Sequence, residues 1–269
     1  MVQRGNRRVS RGGSSLYNHR MYQLRTVRSI AGLTLQALDG EIGSIQELYF
    51  DDNSWAARYF VVSTGRWLFG RDVLLAPIAI KQVDGASGNI TVNLTRAQIE
   101  QAPPVDRAKP VSREYEEAYY RHFNWAPYWQ PGPMGAWTTP TPYPAVPHLS
   151  IDSAMLSQAP QHPHLRSSED VTGYSVQAKD GEIGHVEDLV VTDDGWSVRY
   201  FVVDTRNWLP GRTVLVETVH VTQISWAELS VHVALHRRMI ESAPDYDPSQ
   251  LITPDYEIRL FKHYGREAA

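Results

Sequence analysis

The chain has 269 residues, of which 42% are hydrophobic and 21% are charged, as in ordinary folded proteins. It contains no cysteine, which excludes disulfide scaffolds, thiol nucleophiles and cysteine-ligated metal clusters. The net charge of −4 is the sum of +7 over residues 1–28, −3 over 29–125, −1 over 126–165 and −7 over 166–269.

The chain begins with an arginine-rich segment, and residues 1–24 are predicted to form a basic flexible arm. Arg4, Arg7, Arg8 and Arg11 are candidate anion-binding residues, because clustered guanidinium groups attract phosphates. A solvated arm that folds back on the acidic body is the favoured interpretation. No apolar run follows the arm and no stretch is long enough to span a membrane, so a cytoplasmic location is expected.

An internal repeat dominates the rest of the chain. Residues 32–74 align without a gap on residues 173–215, and 23 of the 43 aligned residues are identical. The offset of 141 residues recurs near the ends of both copies, after a short insertion in the first copy. The sequence therefore predicts two duplicated domains, at residues 25–125 and 166–269.

Residues 126–165 separate the two copies and are predicted to form a proline-rich linker. They contain nine of the 17 prolines and a single charged residue, which is typical of an extended spacer. They also contain Trp129, Trp137 and Tyr143. Packing of the ends of this linker onto the first domain is favoured over capture by a proline-recognising partner.

Each copy has a β pattern. The Asp39-Gly40 and Asp180-Gly181 pairs predict hairpin turns, and the segment RYFVV in both copies predicts a central strand because both of its faces are apolar. The other predicted strands occupy 42–50, 73–75, 78–83 and 90–94 in the first copy and 183–191, 214–216, 219–224 and 229–233 in the second. Helices are predicted at 95–101 and 112–123, and again at 235–241 and 254–264. Such short, regularly spaced strands predict a small barrel or sandwich.

The second copy contains the pattern DGEIGxxxDLxxxDDGWxxRYFVVDTxxWLPGRxVLV, and the first copy is similar. This pattern resembles the PRC-barrel family, which includes the cytoplasmic domain of the photosynthetic reaction centre H subunit and the C-terminal barrel of a ribosome-maturation factor. The resemblance implies a mainly β fold of two small antiparallel barrels, each followed by short helices. It also implies binding of other macromolecules, without a common active site or cofactor.

Two departures separate this chain from those named relatives. The H subunit is expected to begin with a membrane-spanning helix, whereas this chain begins with a polar arm. The maturation factor has one barrel behind a different domain, whereas two barrels are predicted here. Neither of the two roles therefore transfers directly.

The sequence offers no catalytic constellation. The histidine pairs His162/His164 and His232/His236 lack a third ligand, and the carboxylates of the two hairpin turns suit turn geometry. No phosphate-binding loop, dinucleotide fingerprint or nucleophile elbow occurs. No catalytic, cofactor or metal site is predicted, and the protein is not expected to be an enzyme.

Four residues that recur at equivalent positions form a candidate binding surface: Trp67, Arg71, Trp208 and Arg212. The favoured interpretation gives them structural roles, with the arginines at a barrel rim and paired with turn acids such as Asp52 and Asp193. Exposed tryptophans at these positions would instead mark a binding hot spot.

A second recurring set is interpreted as structural. Trp55 and Trp196 are expected in the core, because each can bury a large area. Arg58 and Arg199 are expected to pair with turn acids such as Asp52 and Asp193.

Duplication itself suggests a mechanism. A domain that pairs with itself can be duplicated and joined, so intramolecular barrel–barrel pairing is expected, with a homodimer as the alternative. The favoured function is a protein–protein binding or adaptor module with a protein partner. The alternatives are an RNA- or ribosome-associated factor that uses residues 1–28, and a peripheral accessory of a photosynthetic or electron-transfer membrane complex.

Overall fold

The computed structural model describes residues 22–84, 88–107, 109–129, 165–205 and 212–265. We call the two predicted domains unit 1 and unit 2. Unit 1 contains β1 (Leu24–Thr26), α1 (Val27–Ile30), β2 (Thr34–Ala37), β3 (Gly40–Asp51), β4 (Ala57–Ser63), β5 (Asp72–Leu75), β6 (Ile80–Asp84), β7 (Asn89–Val92), α2 (Arg96–Glu100) and α3 (Arg113–His122). Unit 2 contains β8 (Leu165–Ser167), α4 (Ser168–Val171), β9 (Ser175–Ala178), β10 (Gly181–Thr192), β11 (Val198–Asp204), β12 (Thr213–Glu217), β13 (Val221–Ser225), β14 (Ser230–Val233), α5 (Arg237–Glu241) and α6 (Pro254–His263).

The two sheets have seven strands each and the same topology, which confirms the mainly β fold. Their orders are β5-β4-β3-β2-β7-β6 and β12-β11-β10-β9-β14-β13, each completed by one further strand. All described strand pairs are antiparallel except β2–β7 and β9–β14, which are parallel. The predicted strands are confirmed to within a few residues at their ends.

The central position predicted for the RYFVV segment is also confirmed, because β4 lies between β3 and β5. Phe60 and Val62 face one buried cluster, while Tyr59 and Val61 face another. The period of two residues along a strand produces this division.

A close backbone crossing explains one glycine of the repeated DGEIG segment. A Cβ atom added at Gly43 would lie 1.9 Å from the carbonyl oxygen of Ser63, and one at Gly184 would lie 2.0 Å from that of Asp204. No side chain fits at such distances, so β3 and β10 can approach β4 and β11 here only with glycine.

The first strand of each unit belongs to the sheet of the other unit. Strand β1 pairs with β10, where Leu24 lies opposite Thr192, and β8 pairs with β3, where Tyr49 lies opposite Ser167. The sequence did not predict these strands, because three residues are too few to show an alternating pattern. The two sheets are thus completed by exchanged segments.

The turns after β3 and β10 also contact each other. The amide of Ala57 donates to the carbonyl of Trp196 at 2.6 Å, and the amide of Val198 donates to that of Trp55 at 2.7 Å. The backbone φ angles of Trp55 and Trp196 are 61° and 50°, a left-handed conformation that is rare for bulky residues. The reciprocal hydrogen bonds hold this strained conformation in place.

The same two tryptophans join the cores of the units. The Trp55 ring lies edge-on to Phe201 with centroids 5.8 Å apart, and the Trp196 ring lies edge-on to Phe60 at 4.8 Å. Trp196 is 5% exposed and Trp55 is half-buried against the core, as the sequence predicted. One hydrophobic cluster consequently runs through both units.

The helical tails cover the outer faces of the sheets. The Tyr119 hydroxyl accepts a hydrogen bond from the Ala76 amide at 2.9 Å, and the Tyr264 hydroxyl donates to the Leu215 carbonyl at 2.9 Å. Beyond α3, Trp129 packs against the aromatic cluster of unit 1. The start of the linker therefore packs as favoured, while Trp137 and Tyr143 lie outside the described residues.

The expected partners of the turn acids require a correction. The Asp52 carboxylate contacts the Arg166 guanidinium at 2.5 Å, and Asp193 contacts Arg25 at 3.6 Å. Both arginines lie on the exchanged strands. Since these strands were not predicted, the cross-unit ion pairs were not predicted either.

Arg58 and Arg199 differ in their acidic partners. Arg58 pairs with a turn acid as expected, since its guanidinium contacts Asp51 at 3.6 Å, and it lies 3.7 Å from the ring centroid of Tyr128. The Arg199 guanidinium contacts Glu257 on α6 at 3.5 Å. These arginines attach the segments after the barrels to the sheets, because their strand faces point toward the helical tails.

Candidate partner-binding site

Arg71 of the predicted binding surface has a structural position. Its guanidinium donates to the carbonyls of Glu100 at 3.3 Å and Ala102 at 2.7 Å, at the end of α2. Trp67 is half-buried against the core, and the Arg96 guanidinium lies 4.4 Å from its ring centroid. Arg71 therefore fastens the short helix to β5, whereas the expected turn acid Asp52 pairs with Arg166.

Arg212 occupies the equivalent position in unit 2. It donates to the carbonyls of Glu241 at 2.6 Å and Ala243 at 2.9 Å, and it contacts the Asp245 carboxylate at 2.5 Å. Carbonyls at a helix end lack partners within the helix, and a guanidinium satisfies them well. Trp208, Arg4, Arg7, Arg8 and Arg11 lie outside the described residues.

The structure brings together a polar site that the sequence did not predict, beside β3 and the exchanged helix α4. Glu47 is 3% exposed and accepts hydrogen bonds from the Ser167 hydroxyl and the Arg107 guanidinium. Burial raises the pKa of Glu47, and the contacts with Ser167 and Arg107 lower it. The arginine also contacts Asp72 at 3.4 Å and Glu169 at 2.8 Å. Arg107 therefore closes this site with an internal cation.

The equivalent site in unit 2 lies beside β10 and α1, and different groups contact its buried carboxylate. Asp188 is 8% exposed and accepts hydrogen bonds from the amides of Leu189 at 2.8 Å and Arg28 at 3.3 Å. Burial raises the pKa of Asp188, while these amides lower it. A pocket of about 200 Å³ opens here, lined in part by Tyr246 and Pro248.

Two further carboxylates are buried under the helical tails. Glu116 accepts hydrogen bonds from the hydroxyls of Tyr59 and Tyr128, both at 3.0 Å, and Glu257 accepts one from Tyr200 at 2.6 Å. Burial raises the pKa of Glu116. These enclosed contacts hold the tails on the sheets, because each carboxylate is reached by hydroxyl groups from the strand beneath it.

A second pocket, of about 260 Å³, lies where the units meet. It is lined by Asp52, Trp55, Arg166 and residues 221–224. The close contact of Asp52 with Arg166 pairs opposite charges at this junction. The pocket therefore continues the contact between the units.

The histidine pair of unit 2, His232 and His236, lies beside nearby carboxylates. His232 Nε2 lies 3.0 Å from the Glu228 carboxylate, and His236 Nδ1 lies 3.7 Å from that of Asp180. No group of three or more potential metal ligands occurs among the described residues. His162 and His164 lie outside them. Within the same ranges, every helix is too short or too polar to span a membrane.

The alignment of the two copies contains a signal for the Glu47 and Asp188 sites. The repeat offset of 141 residues places Pro248 opposite Arg107 and Asp188 opposite Glu47. Proline thus replaces the cation and Asp188 keeps the acid of Glu47, whereas the two other acidic contacts of Arg107 are replaced by Thr213 and Arg28. Only the fold places these distant positions side by side, so the sequence alone does not reveal them as one site.

The fold and this site define a class of protein: a duplicated, small β domain whose two copies share a core and carry related but unequal surface sites. The model of the PRC-barrel domain matches residues 25–99 and 164–231, which is more than half of the chain. The chain belongs to the PRC-barrel family, in a tandem arrangement of two copies. None of the curated proteins with which the chain was compared matches it.

Proposed function

We propose that this protein is a non-catalytic protein–protein adaptor that uses its two barrels as one rigid body. The observation that carries this proposal is the exchange of β1 and β8, together with the shared core around Trp55 and Trp196. These contacts fix the orientation of one unit relative to the other. Two surfaces held at a fixed spacing suit a module that positions partners.

Exposed apolar side chains at equivalent positions support a protein partner. Ile78 is 64% exposed and Val219 is 57% exposed, each on a 3₁₀ turn that precedes a strand. Single exposed apolar residues are common on protein surfaces. A pair related by the duplication, however, presents the same apolar feature on both units, which suits binding to a partner's apolar surface.

The two units differ in charge, which favours unequal partner surfaces. Residues 29–125 carry −3 and residues 166–269 carry −7. The more acidic unit 2 attracts a basic partner surface, and its field opposes the approach of nucleic acid phosphates. An adaptor with two related but unequal faces follows from this divergence.

Affinity purification of the tagged full chain from its native host tests the proposal. Quantitative comparison with an Ile78→Asp/Val219→Asp variant is the matched control, because both side chains are exposed and their replacement leaves the core intact. We expect specific proteins that survive nuclease treatment and are depleted at least about fivefold in the variant, as for loss of about 1 kcal/mol of apolar contact.

Recovery of no specific protein contradicts the adaptor role. Recovery of the same proteins with the wild type and the double variant removes the proposed surface. Recovery of RNA alone, lost when residues 1–21 are deleted and β1 is kept, favours the nucleic-acid alternative instead.

A further inference from the structure

Unit 1 contains a guanidinium group bound in a site built from three elements. The Arg107 guanidinium contacts Glu47 on β3, Asp72 on β5 and Glu169 on the exchanged helix α4. The bonded Glu47 is almost fully buried. A buried carboxylate with a charge-assisted hydrogen bond is a strong anchor for a planar cation.

Unit 2 has an equivalent site in which this cation is replaced. The repeat places Asp188 at the position of Glu47, Thr26 at that of Ser167 and Pro248 at that of Arg107. The other two acids are not kept, because Thr213 stands at the position of Asp72 and Arg28 at that of Glu169. Proline cannot reach the carboxylate or donate to it. The space that the arginine fills in unit 1 corresponds to the pocket of about 200 Å³ beside Asp188.

The walls of the pocket suit the flat face of a guanidinium. Val202, Tyr246 and Pro248 provide apolar or aromatic surface, and Asp188 and Glu187 provide carboxylates. Arg28 also lines the pocket, where its guanidinium contacts Glu187. Guanidinium groups stack on such surfaces while their edges donate to carboxylates. The volume is below the range of pockets for drug-sized ligands, and it suits the head group of one side chain.

The local cation, Arg28, pairs its guanidinium with Glu187, at 3.2 Å from the Glu187 carbonyl and 3.5 Å from its carboxylate. The backbone amide of Arg28 donates to the Asp188 carboxylate. Burial raises the pKa of Asp188 although this amide and the charge of Arg28 lower it, so a further positive charge beside Asp188 would favour its ionised form.

We propose that the pocket beside Asp188 in unit 2 binds an arginine side chain of a partner protein. The inference deepens the adaptor function and rests on it: Arg107 fills the site from within in unit 1, and a partner fills it in unit 2. The acidic charge of unit 2 favours the same class of ligand. The duplication thereby leaves one closed and one open copy of a single guanidinium site.

Titration of the full chain with N-acetyl-L-arginine amide, followed by NMR at the amides of residues 187–189, tests the pocket directly. We expect saturable binding of one equivalent and at least about tenfold weaker binding of the uncharged citrulline analogue, since a charge-assisted hydrogen bond is lost. Asp188→Asn is expected to weaken binding by a similar factor. Pro248→Arg is expected to abolish it by filling the pocket as in unit 1.

The reverse change in unit 1 is a matched control. Arg107→Ala opens the Glu47 site and is expected to raise the stoichiometry from one to two. This variant gains binding, so its result does not depend on the behaviour of the Asp188 variants.

The pocket proposal is overturned if the arginine analogue shows no saturable binding. It is also overturned if Asp188→Asn and Pro248→Arg both leave the binding unchanged. Binding that appears only after deletion of residues 1–21 would show that the chain's own arginines fill the pocket, and it overturns the assignment to a partner. If the Ile78/Val219 surface still captures proteins when the arginine analogue fails, the adaptor function stands and the pocket proposal alone falls.

Discussion

Units 1 and 2 have nearly the same structure where two strands of one sheet approach closely, and they differ in the side chains near the surface. Gly43 and Gly184 meet a carbonyl oxygen at almost the same distance, and Arg71 and Arg212 hold the same helix end. These positions tolerate little change because backbone geometry dictates them. Identity between copies thus marks the requirements of the fold.

Two differences between the units concern buried carboxylates. At one equivalent position, unit 1 has Arg107 bound to Glu47 and unit 2 has Pro248 beside an open pocket. The second difference lies under the tails, where Glu116 contacts Tyr128 and Arg113 while Glu257 contacts Tyr22 and Arg199. The comparison indicates that the duplicated backbone was conserved between the units while the side chains of their surface sites changed. The experiments below test this distinction.

The largest expected effect comes from the tryptophans that join the units. Trp196→Ala is expected to lower the free energy of unfolding by about 4 kcal/mol, because it removes a buried indole from the shared core. Trp55→Ala is expected to cost about 1 kcal/mol less, since Trp55 is less buried. Urea unfolding followed by circular dichroism measures both.

If the units unfolded independently, each tryptophan variant would show two unfolding transitions, and only one of them would move to a lower urea concentration. A single cooperative transition that moves as a whole supports the shared core. Separate transitions contradict it.

The strand crossing is expected to be equally sensitive in both units. Gly43→Ala and Gly184→Ala each force a methyl group against a carbonyl oxygen, and we expect a loss of about 3 kcal/mol in each case. Thermal unfolding of each variant measures the loss. Gly32→Ala is the control: its Cβ meets open space at a φ of +81°, so only the backbone cost of about 1–2 kcal/mol applies. Unequal effects at residues 43 and 184 would break the equivalence of the units.

Arg107→Ala is expected to destabilise the protein by about 2 kcal/mol at neutral pH, because it leaves Glu47 buried without its cation. Removing the cation raises the pKa of Glu47 further, and a carboxyl with a raised folded-state pKa loses stability as pH rises through that pKa. The deficit should therefore be larger at pH 8 than at pH 5. Urea unfolding at both values measures it.

Pro248→Ala is the matched variant in unit 2. It removes no charge and is expected to change stability by less than about 0.5 kcal/mol at either pH. Equal pH dependence of the two variants would remove the distinction between the closed and open sites.

The smallest expected difference concerns the tyrosines beneath the tails. Tyr200→Phe is expected to cost about 1.5 kcal/mol, because it removes the 2.6 Å hydrogen bond to Glu257. Tyr59→Phe is expected to cost about 1 kcal/mol, because Glu116 keeps its contacts at 3.0 Å with Tyr128 and 2.9 Å with Arg113. The contacts that Glu257 keeps, with Tyr22 and Arg199, are longer, at 3.4 Å and 3.5 Å. Chemical denaturation of the two variants in parallel resolves the order. A larger loss for Tyr59→Phe would contradict the reading of Glu116 as the better supported carboxylate.

The pocket beside Asp188 could be anticipated only in part. Comparison of the two copies reveals the exchange of Arg107 for Pro248, but it does not show which acid each faces. Asp188 and Pro248 are separated by sixty positions, and they meet because unit 2 folds them together around α1 of the other unit. Sequence patterns report spacing along an element and contain little information on contacts at that distance.

The sequence by itself determined the duplication, the strands, the turns and the helical tails. It did so because alternating side chains and turn residues are local signals and because a gap-free repeat is visible by direct alignment of the two halves. The tertiary structure alone decided that β1 and β8 exchange between the units and that Trp55 and Trp196 close a common core. The strand exchange depends on backbone hydrogen bonds of three-residue strands, and almost any side chains are compatible with such bonds. The common core depends on packing between residues that lie far apart in the sequence.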